Sequence, residues 1–185
     1  MSTYHLTMKR GSRGKAANHT DYIMREGRHS NESIAYEFVT AETFNLPPWA
    51  ETAKDFFRAA DRYERSNGNA YTEFEIALPI ELSLEENQKL IRQFIEETIG
   101  YDKVVAYAIH NKIPSLEEAV TDYSLEGKAD TNYLQPHVHI MFSERCISDI
   151  ENMKPPELFS KEQIPGIWNA EAMQRTDGSR KAGQR

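Results

Sequence analysis

Alternating hydrophobic and polar residues predict the β-strands of this chain. Side chains at i and i+2 of an extended segment point to the same face of a sheet, so a strand buried on one face shows a period of two. A mostly apolar run is typical of a strand at the centre of a sheet. The stretch "RGSRGK" at residues 10–15 predicts a flexible basic turn. The predicted strands are "YHLTM" at 4–8, "AYTEFEIALPIEL" at 70–82, "KVVAYAIH" at 103–110 and "YLQPHVHIMFSER" at 133–145.

A period of 3.6 predicts helices between the strands. The first covers residues 15–26, with Gly27 in position to end it. The second begins near Pro48, which the first turn of a helix tolerates, and its aromatic stripe ends at "SNGN". Between these two helices, residues 35–49 ("AYEFVTAETFNLPPW") predict a loop with some extended structure, because they show no regular period.

The third helix has the clearest start and stop. Ser83 and Glu86 have the spacing of a capping box, and Gly100 ends the helix. Its apolar stripe consists of Leu90, Ile91, Phe94, Ile95 and Ile99. These elements together predict an α+β fold, a central antiparallel sheet with helices packed mainly on one face. The open face of that sheet would then carry the histidines and glutamates.

Composition limits the class of protein. With 185 residues, 39% of them hydrophobic and 28% charged, the chain suits one folded domain with a very polar surface. Its single cysteine, Cys146, excludes an internal disulfide and fits a reducing compartment. No apolar segment approaches the roughly 20 residues of a membrane span, and the N-terminus lacks an apolar signal core. We therefore expect a cytoplasmic protein without membrane insertion.

Charge is unevenly distributed along the chain. The net charge of -7 argues against nucleic-acid binding over the whole surface. In the N-terminal stretch, however, the basic residues oppose only Asp21 and Glu26, so the sign of the charge is locally reversed. The basic residues are Lys9, Arg10, Arg13, Lys15, Arg25 and Arg28.

Two histidines on one strand are the main candidates for chemistry. His137 and His139 share a strand face, and His110 ends another strand that could neighbour theirs. Three imidazoles are a typical ligand set for a divalent metal. A histidine taken alone is more often solvated or hydrogen-bonded, but burying two polar rings on an apolar strand without a purpose costs free energy. A histidine-triad nucleotide hydrolase is excluded by its own motif, because Met141 stands where the third histidine would be.

Two glutamates and a tyrosine are further candidates. Glu73 and Glu75 share a strand face, where they form a solvated surface, or orient imidazole N–H groups, or accept a proton. Tyr22 lies on the first helix among basic residues. A tyrosine is most often a packing residue, but nearby cations would hold a phosphate and favour a phenolate. The residues alone leave these alternatives open.

Five motifs together resemble one family. They occur in the order, and close to the spacing, found in MobA/MobL-type plasmid mobilisation relaxases, which are HUH endonucleases. The resemblance extends from residue 1 to about residue 145. It implies an HUH relaxase-like fold, with a relaxase domain at residues 1–170 and a basic, disordered tail or linker to a further C-terminal region at 171–185. The motifs are "YHLTMKRGSRGKA", "DYIMREGRH", "YERSNGNAYTEFEIALP", "AIH" and "PHVHIMFSER".

The resemblance also implies a reaction. The family's nucleophile matches Tyr22, which would attack one phosphodiester at the nic site of a transfer origin, form a 5′-phosphotyrosyl link and release a 3′-hydroxyl. The family's metal-binding histidines match His110, His137 and His139, so the resemblance implies a divalent metal, Mn²⁺ or Mg²⁺, at these residues. No nucleotide cofactor is required, because the covalent link conserves the phosphodiester energy.

The resemblance also implies partners for this chain, and two features of the chain differ from the family pattern. Glu73 and Glu75 match its acidic strand. The implied partners are single-stranded origin DNA with a hairpin and a nic site, accessory mobilisation proteins and a coupling protein. The 26 positions between His110 and His137 form a longer link than the family pattern implies. The acidic net charge implies that DNA binding is local, through the sheet face and the basic residues of the N-terminal stretch.

Two alternatives to a relaxase remain open. A rolling-circle replication initiator of the same fold would differ in its cognate DNA. A non-catalytic DNA-binding module with a structural metal would bind a hairpin oligonucleotide without nicking it. Comparing binding with cleavage on one oligonucleotide separates the second alternative from a relaxase.

Overall fold

The chain folds around one antiparallel sheet. The structure, a computed structural model, describes residues 5–30, 38–112 and 135–146. The predicted α+β fold with a central antiparallel sheet is confirmed. In chain order the elements are β1 (Leu6–Ser12), α1 (Ala16–Met24), a 3₁₀ turn (Gly27–His29), β2 (Phe38–Phe44), α2 (Ala53–Tyr63), β3 (Asn69–Ala77), α3 (Leu84–Phe94) with a π-helical turn (Ile95–Ile99), β4 (Lys103–Lys112) and β5 (Gln135–Cys146).

The strand with two histidines lies at the centre of the sheet. The strand order is β1-β3-β5-β4-β2, and every neighbouring pair is antiparallel. Because β3 and β4 both pair with β5, they run parallel to each other, and α3 connects them across the position that β5 fills. His139 stands opposite Glu75 on β3 and Ala108 on β4, and His137 stands opposite His110. The strands that carry the predicted site are therefore adjacent.

Helices cover both faces of the sheet. The histidine face, which carries His137 and His139, is covered by α1 and α2 around a core that includes Ala108. The apolar face, which carries Val138 and Ile140, is covered by α3 and its π-helical turn. Two of the three described α-helices thus share one face, but it is the histidine face. The expectation that the histidines lie on an open face is wrong, because β4 is apolar on both sides and needs cover on both.

β1 extends through part of the predicted basic turn. Arg10, Gly11 and Ser12 all pair with β3. Gly11 stands opposite Tyr71, and a Cβ atom at Gly11 would lie 1.8 Å from Cε1 of that ring. The glycine is therefore required for a close ring contact within a strand, not for a turn. A glycine among basic residues is compatible with a turn and with a strand, so the sequence pattern did not distinguish the two structures.

The segment predicted as a loop contains the edge strand β2. Its pairing with β4 runs from Phe44 opposite Val105 to Phe38 opposite His110. Every side chain of β2 is half-buried, so no alternation in the sequence marks the strand. Pairing with β4, and not the local pattern, decides its conformation.

α1 ends earlier than predicted. Its last residue is Met24, and Arg25 adopts a left-handed conformation with φ 54°. The backbone N–H of Arg25 bonds to the carbonyl of Tyr22, and Gly27 begins the 3₁₀ turn. The helix was expected to continue to Glu26 because a non-glycine residue rarely ends a helix in this conformation.

α2 begins later than predicted. Its first residue is Ala53, because Thr52 and Asp55 form a capping box that fixes the start. Pro48 lies in the turn before the helix. The stripe that includes Phe56 and Phe57 is buried as expected.

α3 follows the prediction closely. Ser83 and Glu86 form the predicted capping box, and Gly100 follows the π-helical turn with φ 89°. Ile91 and Ile95 of the predicted stripe are buried, whereas Leu90 is 43% exposed and does not belong to it. The capping motif therefore predicted the start of the helix more accurately than the apolar stripe predicted which side of the helix is buried.

Some predictions concern residues outside the described ranges. Most of the long link between His110 and His137 lies in residues 113–134, and the tail at 171–185 lies in residues 147–185. Within the described residues, no helix is long and apolar enough to cross a membrane.

Candidate functional site

Three histidines come together on the histidine face. The ring centroids of His110, His137 and His139 lie 5.0–5.6 Å apart. Each ring offers one nitrogen such that the three nitrogens lie within 4.8 Å of one another. The cross-strand register explains this grouping, because His110 is paired directly with His137 and the two histidines of β5 share a face. The structure thus brings together the three residues that the sequence predicted as metal ligands.

His110 has one nitrogen engaged and one available. Its side chain is buried, and its Nε2 lies 2.7 Å from the carbonyl oxygen of Ile23 on α1. A carbonyl only accepts, so Nε2 must carry the proton and Nδ1 must carry the lone pair. Nδ1 is buried and has no hydrogen-bond partner within the described ranges. Burial lowers the pKa of His110 to about 4, which keeps the ring neutral, as a metal ligand must be.

His139 is oriented by a buried carboxylate. Its Nδ1 lies 2.7 Å from Oε1 of Glu73, so Nδ1–H donates to the carboxylate, and in the neutral ring the lone pair is then on Nε2. The other carboxylate oxygen, Oε2, lies 2.9 Å from Nε2 of His19. Burial raises the pKa of Glu73, but the contacts with His139 and His19 outweigh it and lower the pKa to about 2. Glu73 is therefore an ionised acceptor and not a solvated surface residue.

These observations fit a divalent metal bound by three neutral imidazoles. Two of the rings have their tautomers fixed by an acceptor behind them, which is the usual arrangement for metal-ligating histidines. The buried, unpartnered Nδ1 of His110 has no other role among the described residues that would offset its desolvation. A set of three nitrogens leaves coordination positions for a further ligand.

Tyr22 lies beside this cluster. It is carried by α1, its ring centroid is 6.1 Å from that of His139, and it is 38% exposed. The ring of His19, one helical turn earlier, stacks against the Tyr22 ring with centroids 5.8 Å apart. The ring of His29 meets the Tyr22 ring edge-on, with centroids 5.5 Å apart. The guanidinium carbon of Arg25 lies 5.0 Å from the Tyr22 ring centroid. A half-exposed phenol is thus held next to three imidazoles and a cation.

The position of α1 is fixed from α2. Asp61 accepts hydrogen bonds from the backbone N–H groups of Ala16 and Ala17 at the start of α1, at 2.9 Å each. Lys54 on α2 pairs with the buried Asp21 at 2.6 Å. Sequence reasoning missed Asp61, because a helix cap supplied by another helix leaves no local spacing to recognise.

Glu75 differs from Glu73 although both point to the histidine face. Glu75 pairs with Lys9 of β1 at 2.5 Å, and the side chains of Glu75 and Lys9 are 30% and 52% exposed. This hydrogen bond from Lys9 lowers the pKa of Glu75. The predicted glutamate pair therefore divides into one buried residue that orients a histidine and one rim residue that binds a lysine.

The predicted basic surface is partly used within the fold. Arg13 donates to the carbonyl oxygens of Asp61 and Arg62 at the end of α2, at 2.9 and 2.7 Å. Arg10 lies 3.6 Å from Glu144. Lys15 is exposed at the start of α1, and Arg28 belongs to the 3₁₀ turn. Lys9 lies beside Glu75, and Arg25 lies over the ring of Tyr22.

The fold and the cluster define a class of protein. It is an α+β protein whose central antiparallel strand holds two of three clustered histidines, beside a tyrosine on a helix that covers them. The chain belongs to the MobA/MobL family, whose sequence profile matches residues 12–181. The resemblance inferred from the motifs is confirmed.

Individual relatives agree with this assignment. The chain is 38% identical over 162 residues to the 43 kDa relaxation protein of Salmonella typhimurium, a match that covers 87% of this chain and 39% of the relative. It is 36% identical over 155 residues to Mobilization protein A of Escherichia coli, covering 82% of this chain and 19% of the relative. The chain therefore spans well under half the length of these two relatives.

A solved structure shares the fold. It comes from work on the molecular basis of vancomycin resistance transfer in Staphylococcus aureus, and it matches with a TM-score of 0.52 over 94% of this chain and 88% of that chain. At 18% identity, the match supports the fold alone.

Proposed function

We propose that the chain is a metal-dependent, site- and strand-specific DNA nickase and strand transferase, a relaxase of the HUH type that initiates plasmid mobilisation. The observation that carries this proposal is the position of the Tyr22 ring, 6.1 Å from that of His139 and next to the three-histidine cluster. The names of the two relatives, a relaxation protein and a mobilization protein, support the same activity.

Tyr22 acts as the nucleophile in this proposal. Its Oη attacks the phosphorus of one phosphodiester, the Oη–P bond forms, and the P–O3′ bond breaks. The phenol proton leaves to solvent, and the departing 3′ oxygen takes up a proton to become a hydroxyl. The 5′-phosphotyrosyl link replaces one phosphodiester with another and so conserves its energy. The reverse reaction can therefore rejoin the strand without a nucleotide cofactor.

The surrounding residues prepare this step. His110, His137 and His139 hold the metal, Mn²⁺ or Mg²⁺, which when bound supplies Lewis-acid polarisation of the phosphodiester. Glu73 fixes the tautomer of His139 and keeps its Nε2 available. Arg25 beside the Tyr22 ring stabilises the negative charge that develops on the phenol oxygen.

DNA binding is local in this proposal. Lys9 and Arg25 neutralise backbone phosphates close to Tyr22, and Lys15 adds a cation at the start of α1. The DNA partner is single-stranded origin DNA with a hairpin and a nic site, processed in the cytoplasm together with accessory mobilisation proteins and a coupling protein.

A covalent-capture experiment tests the proposal. Labelled single-stranded oligonucleotides that tile the DNA flanking the coding sequence are incubated with protein and Mn²⁺ and resolved on a denaturing gel. We expect a protein-linked band with the wild type and none with Tyr22→Phe, a loss of at least about a thousandfold. Tyr101→Phe is the matched control, because Tyr101 is 70% exposed in the turn before β4, whereas His110 lies near the other end of that strand.

Two results would contradict the proposal. A protein-linked band that persists in Tyr22→Phe would exclude Tyr22 as the nucleophile. A hairpin oligonucleotide that shifts on a native gel with no covalent band in the wild type would favour a non-catalytic DNA-binding module.

A further inference from the structure

His19 stands between the proposed nucleophile and the proposed metal centre. It precedes Tyr22 by three positions on α1, so the two side chains project from the same side of the helix. Its ring stacks against that of Tyr22 with centroids 5.8 Å apart and an interplanar angle of 23°. Its Nε2 lies 2.9 Å from Oε2 of Glu73, the carboxylate whose other oxygen binds His139.

A second stacking contact holds His19 from below. Its ring lies 4.9 Å from that of Tyr71, with an interplanar angle of 11°. Tyr71 is buried and its ring fills the space left by the absent side chain of Gly11. The rings of Tyr71, His19 and Tyr22 therefore form a continuous stack from the sheet to the exposed phenol.

The contact between His19 and Glu73 is buried. Both facing atoms, Nε2 of His19 and Oε2 of Glu73, are inaccessible to solvent, and neither has a hydrogen-bond partner of good geometry within the described residues. Their polar contact at 2.9 Å is therefore the close electrostatic neighbour that each atom has there. A carboxylate oxygen removed from water needs a polar neighbour to offset its desolvation. His19 is that neighbour, so its loss would release one side of the carboxylate that orients His139.

We propose that His19 is a positioning residue, which acts through two neighbours at once: it supports the ring of Tyr22 by stacking and holds Glu73 against His139 by its polar contact. The nucleophile and one metal ligand are thereby set relative to each other by a single side chain. This inference rests on the proposed function of Tyr22 and the three histidines.

Two substitutions separate the two contacts. His19→Phe keeps a ring for the stack and removes the polar contact with Glu73. His19→Gln keeps a polar N–H donor and removes the ring. Lys89→Gln is the control, because Lys89 is exposed on α3 over the apolar face and loses one ion pair, with Glu85.

The measurements are Mn²⁺ affinity without DNA, by calorimetry, and the single-turnover rate of covalent link formation at saturating oligonucleotide. For His19→Phe we expect Mn²⁺ affinity to fall about tenfold, as it does when a partner behind a ligating histidine is lost. For His19→Gln we expect Mn²⁺ affinity within about twofold of wild type. The linkage rate should nevertheless fall about tenfold in His19→Gln, with the oligonucleotide Kd unchanged, because the phenol is misplaced.

The expected results are a loss of Mn²⁺ affinity in His19→Phe and a loss of linkage rate at nearly unchanged Mn²⁺ affinity in His19→Gln. This difference between the two variants distinguishes a positioning residue from one with a general structural role. A residue that only stabilised the fold would lower both quantities together in both variants, and that result would overturn the inference. Wild-type values in both variants would also overturn it. If the wild type itself binds no Mn²⁺ and forms no link, the proposed function fails and the inference with it. Thermal melting of all three variants confirms that each is folded, and if His19→Phe does not fold, His19→Gln alone decides the stacking contact.

Discussion

The two faces of the central strand β5 differ in what they contribute. On the histidine face, His137 and His139 meet His110 and the carboxylate of Glu73. On the apolar face, alternate residues of the same strand, including Ile140, pack against the buried side of α3. Both faces share one backbone, so neighbouring residues of β5 have different roles: one belongs to the histidine cluster and the next packs in the hydrophobic core.

This difference shows how a buried polar site is supported. On the histidine face, the buried groups are linked by polar contacts that run from Ile23 to His110 and from His139 through Glu73 to His19. Such groups cost free energy to bury, and their contacts largely offset that cost. The apolar face is packed mainly by hydrocarbon side chains, such as Ile91 and Ile140. We therefore expect substitutions on the histidine face to change metal binding and those on the apolar face to change stability.

The largest effect should follow removal of a ligand on the histidine face. We expect His139→Gln to lower Mn²⁺ affinity by more than about a hundredfold, beyond the loss seen when only an outer partner is removed, and to abolish covalent linkage. Its amide can still donate to Glu73, so the free energy of unfolding should change by about 1 kcal/mol or less. Calorimetry and urea denaturation measure the two quantities. Unchanged Mn²⁺ affinity would remove His139 from the ligand set.

The neighbouring residue on the apolar face should give the reverse result. Ile140 is fully buried, and Ile140→Ala should lower the free energy of unfolding by about 2–5 kcal/mol, because it removes apolar contacts and leaves a cavity. At a temperature where the variant is folded, its Mn²⁺ affinity should match the wild type. A large loss of Mn²⁺ affinity in folded Ile140→Ala would mean that the two faces are not independent.

The period of two in the sequence predicted which residues of β5 lie on each face of the sheet. The spacing of His137 and His139 placed them on one face, and His110 ended a strand of the right kind to neighbour them; the structure groups all three. The period of two also separated Ile140 from the histidines correctly. These features follow from local geometry, which a sequence displays directly.

Features that depend on tertiary contact were not predictable in the same way. The edge strand β2 is half-buried throughout and follows from its pairing with β4. The unequal environments of Glu73 and Glu75 follow from what α1 and β1 bring to each. The sequence treated the two glutamates as a pair because both have the same spacing, and spacing carries no information about a helix that packs from elsewhere in the chain.

An intermediate effect should separate these two glutamates. Glu73→Gln removes the charge from the acceptor of His139, and we expect Mn²⁺ affinity to fall about tenfold. Glu75→Gln is the matched control, because it makes the same chemical change on the same strand face but affects an exposed contact with Lys9. We expect its effect on Mn²⁺ affinity to stay within about threefold. Equal effects of the two substitutions would show that charge near the site, and not orientation of His139, matters.

The smallest effects should come from the helix caps on the two faces. Asp61 caps α1, which carries Tyr22, and Ser83 caps α3 over the apolar face. Asp61→Ala and Ser83→Ala should each lower the free energy of unfolding by about 1 kcal/mol, as loss of a cap usually does. Because α1 positions the phenol, we expect the linkage rate to fall roughly threefold to tenfold in Asp61→Ala alone.

Equal stability losses with unequal rates would show that stability and positioning are separable even where the interaction lost is of the same kind. Urea denaturation and single-turnover linkage assays on the two variants measure both quantities. If Ser83→Ala slows linkage as much as Asp61→Ala does, the rate follows global stability. The face on which a cap lies would then be irrelevant to the chemistry, and the position of α1 would need no support from α2 beyond what keeps the fold intact.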